Sequence, residues 1–251
     1  MCELLGFSAA KKENISEFLR EFFSHSEKNP HGWGMMYDTD RRIVKGAEKA
    51  SDSSELMDML ESIDPQKTLL AHIRYATVGK IKIENCHPFS GRDISGREWT
   101  LIHNGTIYSS KYSYKYLHRQ LGDTDSERLF LSFMDMMNEK LSKGRLTERE
   151  RFAAVDHFIT ENAPRNKLNL IIYDGDLLYA HKNLKNTLCY KKQGSGVMIA
   201  TVPLDSSEWA PFPMAQVIAF RHGKEVYKGE RHKGIFVPTL EYITALDAMN
   251  I

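Results

Sequence analysis

Behind the initiator Met1 stands Cys2, the residue of this chain best placed to do covalent chemistry. Removal of one residue would leave it carrying both a thiol nucleophile and a terminal α-amine. Such an amine has an ordinary pKa of about 8, so at neutral pH it can take a proton from the thiol and hand it on. A cysteine at this position can also simply begin a first β-strand, and position alone does not choose between the two. Cys86 and Cys189 are too scattered to make a disulfide framework with it, and no CxxC pair suggests structural zinc, so Cys2 is expected to be unpaired.

Four short segments supply what a thiol nucleophile would need. They are His31-Gly32-Trp33-Gly34, His72-Ile73-Arg74-Tyr75-Ala76-Thr77-Val78-Gly79, His103-Asn104-Gly105-Thr106-Ile107 and Asp123-Thr124-Asp125-Ser126-Glu127. Singly they have ordinary readings. Asn-Gly is a hairpin-turn pair, an arginine closing an apolar strand is a salt-bridge residue at a sheet margin, and an aspartate at a helix start is favoured by the dipole. In this order, with Cys2 ahead of them, they resemble the glutaminase domain of class II glutamine amidotransferases, members of the N-terminal nucleophile hydrolase superfamily. The resemblance runs from residue 2 to about 127, with 200–204 and Trp209 as a looser continuation.

The resemblance implies an α+β fold, a four-layer α-β-β-α sandwich, with residues 1–251 as a single domain. It implies that Cys2 attacks the side-chain carbonyl of glutamine to form a γ-glutamyl thioester, that its amine passes the proton to departing ammonia, and that water releases glutamate. The Asn104 side-chain amide and the Gly105 N–H would form the oxyanion hole. Arg74 would hold the substrate α-carboxylate through its planar fork and Asp125 would accept from the α-ammonium. Residues 75–89 resemble the mobile loop that closes over glutamine, with Thr77 and His87 lining the pocket. Trp33 would pack beside the nucleophile and contact substrate, or else be plain core. No metal and no cofactor is expected. His72 and His103 read as interior histidines, because the amine already fills the base's role.

The ammonia needs a destination. The chain contains no Gly-x-x-x-x-Gly-Lys-Ser/Thr phosphate loop and no Ser-Gly-Gly-x-Asp-Ser adenylation loop, so the expectation is a stand-alone member of the family. Its partner would be a separate ammonia-accepting synthase subunit, or else it would hydrolyse a particular γ-glutamyl amide or peptide. A non-catalytic descendant that binds γ-glutamyl ligands or a partner enzyme is a third reading. The composition narrows the partners further: 251 residues, 41% hydrophobic and 27% charged with a net charge of +1, give no electrostatic case for nucleic acid or an anionic membrane. No stretch reads as a leader or has the apolar length to span a bilayer, and the expected location is the cytoplasm.

The elements that must position these residues alternate between helix and strand periods. After a first strand, Asn14 is expected to cap a helix with Glu17 reaching back, placing Ile15, Phe18, Leu19, Phe22 and Phe23 on one face. Strands are expected at 33–38 and 43–46 around a polar turn at 38–40, then a short helix around Leu56 to Leu60, then strands at 68–75 and 99–103, the latter ending in the Asn104-Gly105 turn. Helices follow over 125–141 and from a capping box at 147–150. The last third reads as hairpins, with strands at 168–173, 176–181, 187–190, 197–200 and 216–221 and turns at Asp174-Gly175 and His222-Gly223. Strands at both ends with helices between suit two packed sheets covered by helices.

Overall fold

Alternation along the strands decides which side chains meet. In the computed structural model, which describes residues 1–37, 41–108, 115–238 and 244, the chain opens on a long strand, β1 (Glu3–Glu13). Its Leu5 and Phe7 join one apolar cluster and Leu4 another, as a period of two requires. β1 is joined by β2 (Trp33–Tyr37), β3 (Arg42–Gly46), β4 (Gln66–Ile73), β9 (Cys189–Gln193), β10 (Gly196–Ala200) and β11 (Ala210–Pro211). They form a seven-stranded antiparallel sheet in the order β11-β9-β10-β1-β4-β2-β3.

A second antiparallel sheet holds β5 (Phe89–Arg92), β6 (Glu98–Thr106), β7 (Lys167–Tyr173), β8 (Leu178–His181), β12 (Ile218–Arg221) and β13 (Lys224–Lys228), in the order β13-β12-β8-β7-β6-β5. The inward faces of both sheets meet through Leu4, Met36, Leu70, Ile102, Ile171 and Ile199. Outside the first sheet lie α1 (Ser16–Ser24) and α2 (Ser54–Ser62), whose Leu19, Phe22, Phe23, Leu56 and Leu60 cover Leu5, Phe7 and Met35. Outside the second lie α3 (Asp125–Ser142) and α4 (Glu148–Asn162), which bury Phe133, Met137, Val155 and Ile159 against Trp99, Leu170 and Tyr179. Each fully buried aromatic or aliphatic side chain of this kind contributes about 1.5–3 kcal/mol. The four layers are helix, sheet, sheet, helix, and the fold is that of N-terminal nucleophile hydrolases.

Local chemistry sets the boundaries, in places differently from the expectation. The capping box at α4 forms in full, Thr147 Oγ1 accepting from the Glu150 N–H and Glu150 Oε2 from the Thr147 N–H. At α1 it does not. The helix begins one residue later than expected, at Ser16, and Asn14 Oδ1 accepts from the Ser16 N–H at 3.0 Å while Glu17 makes no return bond to it. The His222-Gly223 turn forms with both residues at positive φ, as a two-residue hairpin demands. The expected turn at 38–40 lies outside the described residues. Asn104-Gly105 is not a turn: β6 continues through it, pairing Asn104 with Asn169 and Gly105 with Leu168. Ladder bonds to β7 outweigh the local turn preference of the dipeptide. β5 falls at the end of the segment expected to be a loop.

Candidate active site

Cys2 precedes β1 by one residue, and the pairing of Glu3 with Ile73 brings it beside the end of β4. There the Tyr75 backbone brackets the thiol. Tyr75 N–H donates to Sγ at 3.2 Å, and the thiol donates back to the Tyr75 carbonyl at 3.3 Å. Burial pushes the thiol's pKa up, while the Tyr75 hydrogen bond, the α-amine, Lys167 and Arg74 pull it down. The sulfur opens on a small cavity of about 20 Å³ lined by residues that include Arg74, Thr77, His87, Gly105 and Asp125. That is room for about one water. Four of the substrate-site expectations and one of the oxyanion pair therefore converge on Cys2.

Arg74 is 3% exposed and its fork is occupied. Nη1 donates to the carbonyls of His31 and Lys80, and Nη2 to those of Val78 and Gly79, at 2.9–3.4 Å. The segment after β4 thus wraps around the guanidinium, and a carboxylate reaches the fork only when that backbone moves. Asp125 begins α3, where its Oδ2 accepts from the Ile107 N–H at 2.7 Å and its Oδ1 from the Ser126 N–H at 2.9 Å. These bonds fix the carboxylate at the cavity wall and tie the end of β6 to the helix. Thr77 is exposed at the rim.

Trp33 does not lie beside the nucleophile, which corrects that reading of it, and takes the other one, a core position. It shares the outward face of β2 with Met35, packs edge-on against Phe23 of α1 and donates Nε1–H to Glu48 at 3.1 Å. Its neighbour Gly34 faces inward instead, where a Cβ would strike the carbonyl of His87. Period-two alternation puts the tryptophan in the outer core and the glycine under the site.

Three histidines back the cavity, all held neutral. Burial takes His72 down to about 3, pushes His87 well below its ordinary value and lowers His103. His72 Nε2–H donates to the His103 carbonyl at 3.2 Å. His103 donates Nε2–H to the Lys167 carbonyl at 3.1 Å and accepts at Nδ1 from the Ser126 hydroxyl at 2.9 Å. Both behave as interior residues. The His87 ring lies tilted 4.2 Å from that of His72, and neither of its ring nitrogens has a partner among the described residues.

Asn104 is 2% exposed. Its Oδ1 accepts from Lys167 Nζ at 3.1 Å, and its Nδ2 has no partner among the described residues. A buried donor left in this state costs about 1–3 kcal/mol, which an incoming ligand oxygen would recover. Gly105 is required for packing as well: a Cβ there would strike the Lys167 carbonyl and the His103 ring.

The sequence reading missed two parts of the site. Lys167, at the start of β7, is 2% exposed and touches both Asn104 and Met1; a lysine at a strand end carries no signal of burial. The second is the anchor of the loop after Arg74. Asp123 Oδ1 accepts from the Lys80 N–H and from Asn85 Nδ2, while Asn85 Oδ1 accepts from the Asp123 N–H. Glu127 accepts from the N–H groups of Leu121 and Gly122. The Asp-Thr-Asp-Ser-Glu segment therefore holds three stretches of chain at once, though only its second aspartate stood out. Among the described residues no group of three or more His, Cys, Asp or Glu side chains is arranged to hold a metal ion, and no helix is long and apolar enough to cross a membrane.

The sequence that sets a cysteine at the head of a central strand, facing a small cavity in an α-β-β-α sandwich, matches a known family. The profile of the class-II glutamine amidotransferases covers residues 1–194, and the chain belongs to that family. It is 25% identical over 260 residues to the uncharacterized protein MJ1515 of Methanocaldococcus jannaschii, an alignment taking in 92% of this chain and 72% of the other. Among solved structures, a glutamine aminotransferase class-II domain protein from Silicibacter pomeroyi superposes with a TM-score of 0.60 at 17% identity, covering 92% and 99% of the two chains. Glutamine phosphoribosylpyrophosphate amidotransferase from B. subtilis superposes with a TM-score of 0.68 at 14% identity, over 93% of this chain and 50% of that one.

Proposed function

We propose that the protein hydrolyses the side-chain amide of glutamine, releasing ammonia through a γ-glutamyl thioester on Cys2, with residues 1–251 forming one domain for that step. The observation that carries this reading is the seating of the Cys2 thiol between the Tyr75 N–H and carbonyl, at a cavity walled by Gly105 and Asp125. In the chain that retains Met1 the Cys2 nitrogen is an amide, so the mechanism requires Met1 to be removed. Burial lowers the pKa of the Met1 α-amine. The same burial acting on a Cys2 amine one residue away would leave it neutral, and able to act as a base, below its ordinary pKa of about 8.

The amine takes the thiol proton as sulfur attacks the amide carbon. Asn104 Nδ2 and the Gly105 N–H receive the developing oxyanion. The C–N bond breaks, the proton passes to the leaving nitrogen, and ammonia departs. Water then cleaves the C–S bond to give glutamate and the restored thiol. Asp125 accepts from the α-ammonium, and Arg74 holds the α-carboxylate once the 78–80 backbone withdraws from its fork; Thr77 and His87 line the cavity. With both ends of a free amino acid recognised, glutamine inside a peptide is excluded.

The ammonia goes to an acceptor held by a separate synthase subunit. In the second reading the protein works alone on one particular γ-glutamyl amide. Three unpaired cysteines fit a reducing compartment, and we place the protein in the cytoplasm. The test is glutamate release from glutamine and a panel of γ-glutamyl amides by chain verified to start at Cys2, by the Met1-retaining form and by Cys2→Ala. Activity confined to the first supports the mechanism, and the preferred amide separates the two readings. Equal activity in the Met1-retaining form would sink it.

A further inference from the structure

Lys167 has the geometry of a working residue. It is 2% exposed, at the start of β7 opposite Thr106 of β6, and its backbone is pinned by the His103 ring, which donates to its carbonyl at 3.1 Å. Only glycine at position 105 lets the two strands come this close. Odd-numbered Lys167 shares the inward face of β7 with Ile171, so its side chain runs into the layer between the sheets, towards Asn104.

An ammonium has donors and no acceptor. The Asn104 atom 3.1 Å from Lys167 Nζ must therefore be the carbonyl oxygen, and the amide nitrogen is turned the other way, where it has no partner among the described residues. The second contact of Nζ is with Met1 Sδ at 3.3 Å, which places the cation beside the N-terminal residues. Lys167 and Cys2 also act on each other: the cation lowers the thiol pKa, and the thiolate raises that of a lysine that burial has taken down to about 8. Among the described residues, the other titratable or charged groups around the pair include the Met1 α-amine with Glu3 near it, Arg74, Cys86 and, across β6, His103 with Asp125 behind it.

We infer that Lys167 is a positioning residue of this site: it locks the Asn104 amide with its nitrogen left for the substrate oxygen, and it sets a cation beside the Cys2 thiol. The inference rests on the glutaminase reading and adds a part to it. An Asn side chain is nearly symmetric in shape, so without such a lock half of its orientations would turn an oxygen on the oxyanion. The bond also polarises the amide, making Nδ2–H a better donor.

The test is a double-mutant cycle on chain that begins at Cys2. Lys167→Met, similar in length and apolar, is expected to lower kcat roughly tenfold to a hundredfold with KM for the preferred amide within about twofold. In an Asn104→Ala background the same change should cost at least about threefold less than it does in the wild-type background, because only the part that acts through the cation beside Cys2 remains. Fully additive losses would overturn the inference. If Lys167→Met does not fold, Lys167→Gln serves in its place. If the processed wild type turns over no amide at all, the proposed function falls and with it the oxyanion role of Asn104, and the cation's placement beside Cys2 is then decided by iodoacetamide modification of Cys2. Its pH midpoint should move up by about one unit in the Lys167 variant, and an unmoved midpoint would overturn the assignment.

Discussion

One wall of the cavity is strand and the other is loop. Cys2, His103 and Gly105 lie on or beside β1 and β6, each hydrogen-bonded to neighbours on both sides, whereas Thr77, Val78 and His87 belong to the segment between β4 and β5. The strand wall is fixed by ladders and by glycines that permit close approach. The loop wall is held by a few side-chain bonds, from Arg74, Asn85 and Asp123. A glutamine cannot enter about 20 Å³. The groups that would do chemistry are therefore preorganised, and admission of the substrate falls to the side that is cheaply moved.

The difference can be tested by breaking each wall in turn. Cys2→Ala should abolish turnover, by roughly 10⁴-fold or more, with an unchanged melting temperature. In the wild type the acid limb of kcat/KM should lie below pH 8: the burial that lowers the pKa of the Met1 amine should act likewise on a Cys2 amine, whose neutral, working form is lost as pH falls through its pKa. Asn104→Ala should cost about 10²–10³-fold in kcat with little change in KM, as for loss of one oxyanion donor. An effect mainly on KM would move Asn104 from the chemical wall to the recognition wall.

For the groups that would recognise the substrate, and for the loop that admits it, the effects should be smaller and should shift to KM. Asp125→Asn keeps the acceptor for the Ile107 N–H but removes the charge facing an α-ammonium, and KM should rise about tenfold to a hundredfold. Arg74→Lys cannot reach four carbonyls with a compact ammonium. Limited proteolysis within 77–83 should speed up and KM should rise by a similar factor; resistance equal to wild type would mean that the loop does not depend on the fork. Asp123→Ala should be the mildest, with kcat within about threefold and faster nicking around Lys80, because it removes only the loop's outer anchor. If it instead abolished activity, the loop would be part of the rigid wall.

The division between the walls also marks what could be read from the sequence. Cys2, Arg74, Asp125 and Gly105 stand in short contiguous motifs, and the fold brings all four to one cavity. The layers were legible because Ile15, Leu19, Phe22 and Phe23 recur at helical spacing and the strands alternate. Trp33 stayed open between site and core because a motif records order along the chain, while the face of a strand is set by parity: Met35, two residues on, points to the outer core with it. Asn104-Gly105 misled because a dipeptide's turn preference ignores the partner strand supplied 63 residues later in the chain, where Lys167 meets Asn104. The Asn85–Asp123 anchor spans 38 residues of sequence, and polar side chains that distant carry no local sign of meeting.

β1 is fourth of seven strands, with β10 and β4 bonded along its two edges. Its amides should be among the slowest in the molecule to exchange with deuterium, while those of the outer strands β3 and β11 wash out early. Partial melting would then dismantle the protein from its margins inward. A population that has lost its loop and its outer strands in mild denaturant would still present Cys2 on an intact stalk, a thiol that outlives the pocket built to select what it meets.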